Sequence, residues 1–390
     1  METIAKVRAD CPICGKRDLI PSVAFEALPV LCNALHSDSA SARSAGTGRF
    51  ELRFCRDCGH LFNAAFEKDR IGYTQGYDSS LHFSPRFVAF ADTLVERLRT
   101  TYLLAGKTVV DIGCGKGNFL KRLCLASGAE GVGFDKSFEE NRNEVSSGVR
   151  FIKDWFHNSY ADIRPDFVSC RHVIEHIAEP VAFLLALRLH PGIGPETVFY
   201  FECPNALYTL RDLGIWDLIY EHVSYFTPPS LRTAFEVAGF VVLNEETSFG
   251  EQYLCIEAKL SSGAQRVRPP QASDIEPLVR DFDSAYHEKI KHWCEYLDAR
   301  DPGRAVIWGA GSKGVTFINV VANADQMGAL VDVNPYKQGR FAPGTATPII
   351  APEELCERPV QSVIVMNPLY QSEIAGALAA LGISPEIVIA

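Results

Sequence analysis

Short runs rich in β-branched and aromatic residues punctuate the middle of the chain: TVVDIG from Thr108, GVGFD up to Asp135, RFIKD from Arg150, DFVSC from Asp166 and TVFYFE from Thr197. Between them apolar residues recur at helical spacing, as from Phe119 to Leu125, and such alternation predicts a parallel sheet covered by helices. A helix around Phe235 and the apolar runs Val241–Leu243 and Tyr253–Ala258 are placed to close that sheet. Upstream, Phe87, Phe90, Ala91, Leu94, Val95 and Leu98 form one face of an amphipathic helix leading into it. Residues 1 to about 75 are loop-rich, with two close cysteine pairs and a small-residue stretch, Ser37 to Gly48, that reads as a flexible excursion. Ser261–Gln271, with Gly263, Pro269 and Pro270, reads as a linker. After it, residues 275–298 look helical, and AVIWGAGSKG opens a second strand, glycine turn and helix, continued by ALVDVN and SVIVMN. The expected class is α/β, in three units: a small N-terminal one (1–78), a parallel-sheet one (79–262) and a second α/β one (263–390).

Composition supports several units and removes some partners. At ~150 residues per domain, a chain of 390 residues needs two or three cores. Hydrophobic residues at 47% against 22% charged provide enough apolar surface to fold. The balance of 38 basic against 48 acidic residues has the wrong sign for a general phosphate-neutralising surface, so nucleic acid is not an expected partner. METIAKVRADCPICG lacks the apolar core of a secretory signal, and Val181–Leu189, the nearest approach to a membrane span, is short and contains Arg188. The expectation is a cytoplasmic protein, no membrane contact, and cysteines held reduced, where close pairs favour metal over disulfide. Oligomeric state is left open.

Cys11-Pro-Ile-Cys14-Gly15 and Cys55-Arg-Asp-Cys58-Gly59 are two CxxC-Gly knuckles, each able to turn two thiolates toward one ion. Four such ligands predict a closed, structural zinc site. Redox pairing is the alternative, and Cys32, His36 and His60 are spare ligands. The run VVDIGCGKGN from Val109 is strand, GxGxG turn and helix start, with Gly113, Gly115 and Gly117 opening the backbone to a ligand. Asp111 before the turn, Asp135 after the next strand and Asp154-Trp155 after the third resemble the cofactor contacts of class I S-adenosylmethionine methyltransferases. An NAD-binding or vestigial loop is the rival, although a dinucleotide loop more usually reads GxGxxG. Gly309-Ala310-Gly311-Ser312-Lys313-Gly314 does match GxGxxG, with Asp332 further on. It is either a diphosphate site helped by Lys313 or a turn binding nothing. Among His172, His176 and His222, the last is the best base candidate, because Glu221 is adjacent and the segment follows the fifth strand.

These segments, together with YTQGYDSS at 73–80, EHI at 175–177, EHVSYF at 221–226, VDVNPYKQGRFAPGT and VMNPLY, resemble the three-domain sugar C-methyltransferases that act on nucleotide-linked 4-keto-deoxysugars. The resemblance spans essentially the whole chain, and its C-terminal series is the most specific part. It implies a zinc-binding domain, a class I Rossmann-like domain for S-adenosylmethionine, and a Rossmann-like C-terminal domain that helps hold the sugar nucleotide. It further implies His222 as base oriented by Glu221, His176 on the developing oxyanion, and substrate contacts from Tyr77, Ser79, Tyr220, Gly311, Ser312, Lys313, Asp332 and Lys337. One departure affects the substrate: relatives often carry Tyr where this chain has Ile219, and Tyr220 follows it. The expected reaction is carbon methylation through an enolate formed α to a ketone. The alternatives are O- or N-methylation and a non-enzymatic zinc and nucleotide-binding scaffold.

Overall fold

The computed structural model describes residues 7–72, 80–138, 148–263 and 272–390. In the N-terminal unit, β1 (Leu19–Pro29) and β2 (Thr47–Cys55) pair antiparallel, and β3 (Leu61–Asn63) adds to β2. The Ser37–Gly48 stretch is folded: α1 (Ser39–Arg43) is capped by Asp38, whose carboxylate accepts the Ser41 N–H at 2.8 Å. Its small residues let Ala42 bury completely while its carbonyl accepts the Gly344 N–H from the far end of the chain.

The middle unit opens with α2 (Pro85–Thr101), capped by Ser84 and burying Phe87, Ala91, Leu94, Val95 and Leu98 of the expected stripe, while Phe90 is half-buried against Phe249 and Tyr253. It continues through β4 (Thr108–Ile112), α3 (Asn118–Ser127), β5 (Glu130–Phe134), β6 (Val149–Ile152), β7 (Phe167–Arg171), α4 (Pro180–Arg188), β8 (Val198–Pro204), α5 (Ala206–Arg211), β9 (Ser224–Tyr225), α6 (Pro228–Val237), β10 (Phe240–Ser248) and β11 (Tyr253–Leu260). Seven of these strands form a sheet in the order β10-β11-β8-β7-β4-β5-β6, with β11 antiparallel to its neighbours. Chain order reverses between β4 and β7, so a ligand crevice opens at the carboxyl ends of those strands.

The third unit has α7 (Glu276–Asp298), β12 (Ala305–Trp308), α8 (Ser312–Val320), β13 (Ala329–Val331), β14 (Ile349–Ile350), β15 (Ser362–Val365), α9 (Gln371–Ala380) and β16 (Glu386–Ile389). Its parallel sheet runs β14-β13-β12-β15-β16, with a second reversal between β12 and β15. Among the described residues no helix is long and apolar enough to cross a membrane.

The units are not independent. Strand β9, from the middle of the chain, pairs with β3 and completes the N-terminal sheet. Helix α7 lies on that sheet, with Tyr286 edge-on to Phe25 at 5.4 Å. One buried cluster runs from Phe50 and Phe54 through Trp216 and Tyr220 to Trp293 and Phe317, so all three units share a core.

Candidate active site

The two knuckles meet. Cys11 Sγ lies 3.5 Å from Cys58 Sγ and Cys14 Sγ 3.5 Å from Cys55 Sγ, and all four sulfurs are within 4.8 Å of one another. Zinc bonds of ~2.3 Å at tetrahedral angles would set sulfurs about 3.8 Å apart, so one ion fits this set. Each knuckle closes by a glycine N–H donating to the first cysteine's carbonyl, Gly15 to Cys11 and Gly59 to Cys55, both at 2.9 Å. The spare ligands lie elsewhere: His60 is fully buried beside Phe62 and Phe226, and burial pushes it down to about 3. Cys32 donates its backbone N–H to Glu221, and His36 pairs through its backbone with Phe341.

At the first reversal, β4 delivers Asp111 and the glycine turn. A side chain on Gly117 (φ 77°) would strike the Phe151 ring 2.3 Å away, which accounts for glycine there. Asp135, at the end of β5, accepts the Gly115 N–H at 2.8 Å through one oxygen and the Ser137 N–H and hydroxyl at 2.7 Å through the other. Burial raises Asp111 to about 6, opposed by the Ser169 hydroxyl 2.6 Å away. Asp154 sits well below the ordinary carboxylate range because it accepts the Trp155 backbone N–H and contacts Lys136, His157 and Tyr160. Trp155 remains half exposed beside it.

The turn after β7 and the loop before β9 carry the histidines. His176 and His222 meet edge-to-face with ring centroids 4.9 Å apart, and His176 Nδ1 is 2.9 Å from the Glu221 carbonyl. The Tyr225 hydroxyl holds the loop by accepting the Ile219 N–H and donating to the Ile219 carbonyl, both at 3.0 Å. The Val223 N–H donates to the Glu175 carbonyl and the Val223 carbonyl accepts the Asn63 N–H, so this loop is clamped between the N-terminal sheet and the EHI turn. Burial, then His176 and His172, push His222 well below its ordinary value, leaving it neutral with a lone pair available. His172, at φ 55°, is drawn down by burial but lifted to about 9 by Glu175 and Glu202. Glu221 is buried and directs Oε1 to the Cys32 N–H at 2.9 Å, anchoring the loop. The carboxylate that gathers with the two imidazoles is Glu175, which lay unremarked within the EHI motif.

The second glycine turn is braced from within. Asp332 accepts the Ala310 N–H at 2.8 Å, and buried Lys337 donates to the Ala310 carbonyl at 2.9 Å. Lys313 at the start of α8 pairs with Asp217 at 2.9 Å. A single cavity of about 1350 Å³ is lined by Gly113, Asp135, His172, His176, His222, Gly311, Ser312, Lys313, Asp332 and Lys337. Tyr220 does not belong with them. It is fully buried against Phe66, with its hydroxyl accepting the Glu67 N–H at 2.9 Å, and Ile219 lines the cavity instead. One residue along a turn reverses which side chain faces the cleft. Tyr77 and Ser79 lie outside the described residues.

Residues 82–245 match the family model of a methyltransferase domain, and residues 278–384 that of a C-methyltransferase C-terminal domain. Together these two matches mark an S-adenosylmethionine-dependent methyltransferase with a C-methyltransferase C-terminal domain. An enzyme of this kind sets aside the scaffold reading. The methyltransferase is 24% identical to the C-methyltransferase NovU of Streptomyces niveus, over 91% of this chain and 88% of that one. It is 27% identical to the ubiquinone biosynthesis O-methyltransferase of Actinobacillus pleuropneumoniae, over 29% of this chain and 54% of the relative. Among solved structures, the magnesium protoporphyrin IX methyltransferase of Synechocystis PCC 6803 is 18% identical, covering 45% of this chain and 84% of its own, with a TM-score of 0.35.

Proposed function

We propose that this enzyme methylates the carbon α to the ketone of a nucleotide-linked keto-deoxysugar, with His222 as the base. The observation that carries the reading is the single cavity onto which both glycine turns and the His176–His222 pair open. Two nucleotide-bearing ligands call for two such turns, whereas a simple acceptor calls for one. The match along most of NovU's length supports acceptance at carbon.

S-adenosylmethionine would supply an already activated methyl group, and Asp111, Gly113, Gly115, Gly117, Asp135, Asp154 and Trp155 are the residues that would hold it. The chain must therefore generate a carbon nucleophile, position it in line and exclude water. His222, neutral in its buried site, takes the proton next to the ketone. His176, held with Nδ1 at the Glu221 carbonyl, is the hydrogen-bond partner of the enolate oxygen. Glu221 orients His222 by tying its loop to Cys32. Gly311, Ser312 and Lys313 at the start of α8 receive the diphosphate, while Asp332 and Lys337 stiffen that turn. Zinc, held by Cys11, Cys14, Cys55 and Cys58 with no open position, is structural, and a cytoplasmic setting keeps such thiolates reduced.

The test is a panel of nucleoside diphosphate 4-keto-deoxysugars with cofactor, read as a one-methyl gain in mass and as exchange of the α-proton in heavy water. His222→Asn is expected to abolish both while both ligands still bind. Methyl gain without exchange would move the acceptor to oxygen or nitrogen. Lys313→Ala should weaken sugar-nucleotide binding and leave cofactor affinity intact.

A further inference from the structure

The catalytic cleft holds a buried carboxylate with no task in this mechanism. Glu175 is 1% exposed, and its Oε2 has no hydrogen-bond partner among the described residues. A buried, under-satisfied carboxylate is costly, so its retention asks for a use. The neighbours indicate one. A Glu175 oxygen, a His176 ring nitrogen and a His222 ring nitrogen lie within 4.8 Å of one another. On another side, Glu175 Oε1 is 3.6 Å from His172 Nδ1, and His172 Nε2 is 3.1 Å from Glu202 Oε1. The Glu175 carbonyl accepts the Val223 N–H at 2.8 Å, which fixes this turn against the residue following His222.

A base enclosed like His222 faces a difficulty. Burial, His176 and the cationic His172 keep it unprotonated when idle, yet they equally oppose the imidazolium it must become. We propose that Glu175 is the positioning carboxylate of the base, placed within 4.8 Å of a His222 ring nitrogen and offsetting the positive charge the imidazole acquires on taking the α-proton. The inference rests on His222 being that base. In the step, the substrate C–H bond breaks, its electron pair stays on carbon as the enolate, and an N–H bond forms on His222. Glu175 gains no proton; it contributes charge at a distance where, partly desolvated, one full charge is worth about 10²–10³ in rate.

The experiment follows α-proton exchange in heavy water and methyl transfer, using the whole zinc-loaded enzyme with a nucleoside diphosphate 4-keto-deoxysugar. Glu175→Gln keeps shape and removes charge. It is expected to slow exchange and transfer together by about 10²–10³-fold, with cofactor affinity unchanged. Glu175→Asp, which restores charge on a shorter arm, should recover at least about tenfold over the glutamine variant. The acidic limb of kcat/KM should move to lower pH in Glu175→Gln, because the imidazolium loses its partner. Cys170 on β7, His172 and His176 on its turn, Cys203 on β8, and Asp217 and Glu221 in the loop face the pair, and they are present in every variant compared. A merely structural carboxylate would lower both rates without moving that limb. Wild-type exchange in Glu175→Gln, with His222→Asn inactive, overturns this inference alone; retained exchange in His222→Asn overturns the base assignment itself. If Glu175→Gln fails to fold, the limb in Glu175→Asp decides: displacement supports the inference and wild-type position overturns it.

Discussion

Asp111→Asn offers a test in which stability and function move in opposite directions. Asp111 is buried at the end of β4, and burial lifts its carboxyl from the ordinary 3.8 to about 6. That difference corresponds to about 3 kcal/mol by which the folded, cofactor-free protein disfavours the charged form at neutral pH. A carboxyl raised by folding binds its proton more tightly in the native state, so its penalty is absent below the unfolded value and complete above the folded one. Asparagine keeps an oxygen to accept from the Ser169 hydroxyl, 2.6 Å from the carboxylate now, and removes the charge. The variant should therefore match wild type near pH 3.8, gain roughly half of the 3 kcal/mol at pH 5 and nearly all at pH 7.5. Because the three units share one core, the full gain is spread over the unfolding entropy of the whole chain and raises the melting midpoint by roughly 4 °C. Thermal denaturation of the cofactor-free proteins at pH 5 and 7.5 measures it. Cofactor affinity should fall about 10–100-fold in the same variant, since a charged hydrogen-bond acceptor is lost from the site. A stability difference that is absent, or the same at both pH values, would refute the reasoning.

Chelation of zinc, or Cys55→Ser, should unfold the N-terminal sheet, because structural zinc contributes on the order of 10 kcal/mol to small domains; metal analysis finding no zinc in intact protein would contradict this. Because β9 belongs to that sheet, methyl transfer should be lost with the zinc while calorimetry still detects cofactor binding. Gly117→Ala places a methyl group 2.3 Å from the Phe151 ring at φ 77°, so a cost of about 1–3 kcal/mol and weakened cofactor binding are expected. Tyr220→Phe orphans the Glu67 N–H and should cost about 1–3 kcal/mol of stability with KM unchanged; a raised KM would return that side chain to the substrate.

Local patterns in the chain were enough for the elements and the two glycine turns. The stripe from Phe87 to Leu98, the apolar strands, the CxxC-Gly knuckles and both glycine turns are encoded within a few residues of themselves, because helix period, strand burial and positive φ are local constraints. What the pattern could not contain is anything set by strands meeting across long separations. The antiparallel step of β9 onto β3 turns His222 toward His176 and carries Tyr220 into the shared core, and no periodicity around residue 220 encodes that. The same holds for Ser37–Gly48, whose small residues suggest freedom in isolation and fold because the Gly344 backbone reaches them. Glu175 was visible as a letter in a motif; its burial beside two imidazoles, one three residues back in its own turn and one beyond β8, is set by packing across long separations, and only tertiary structure brings these groups together.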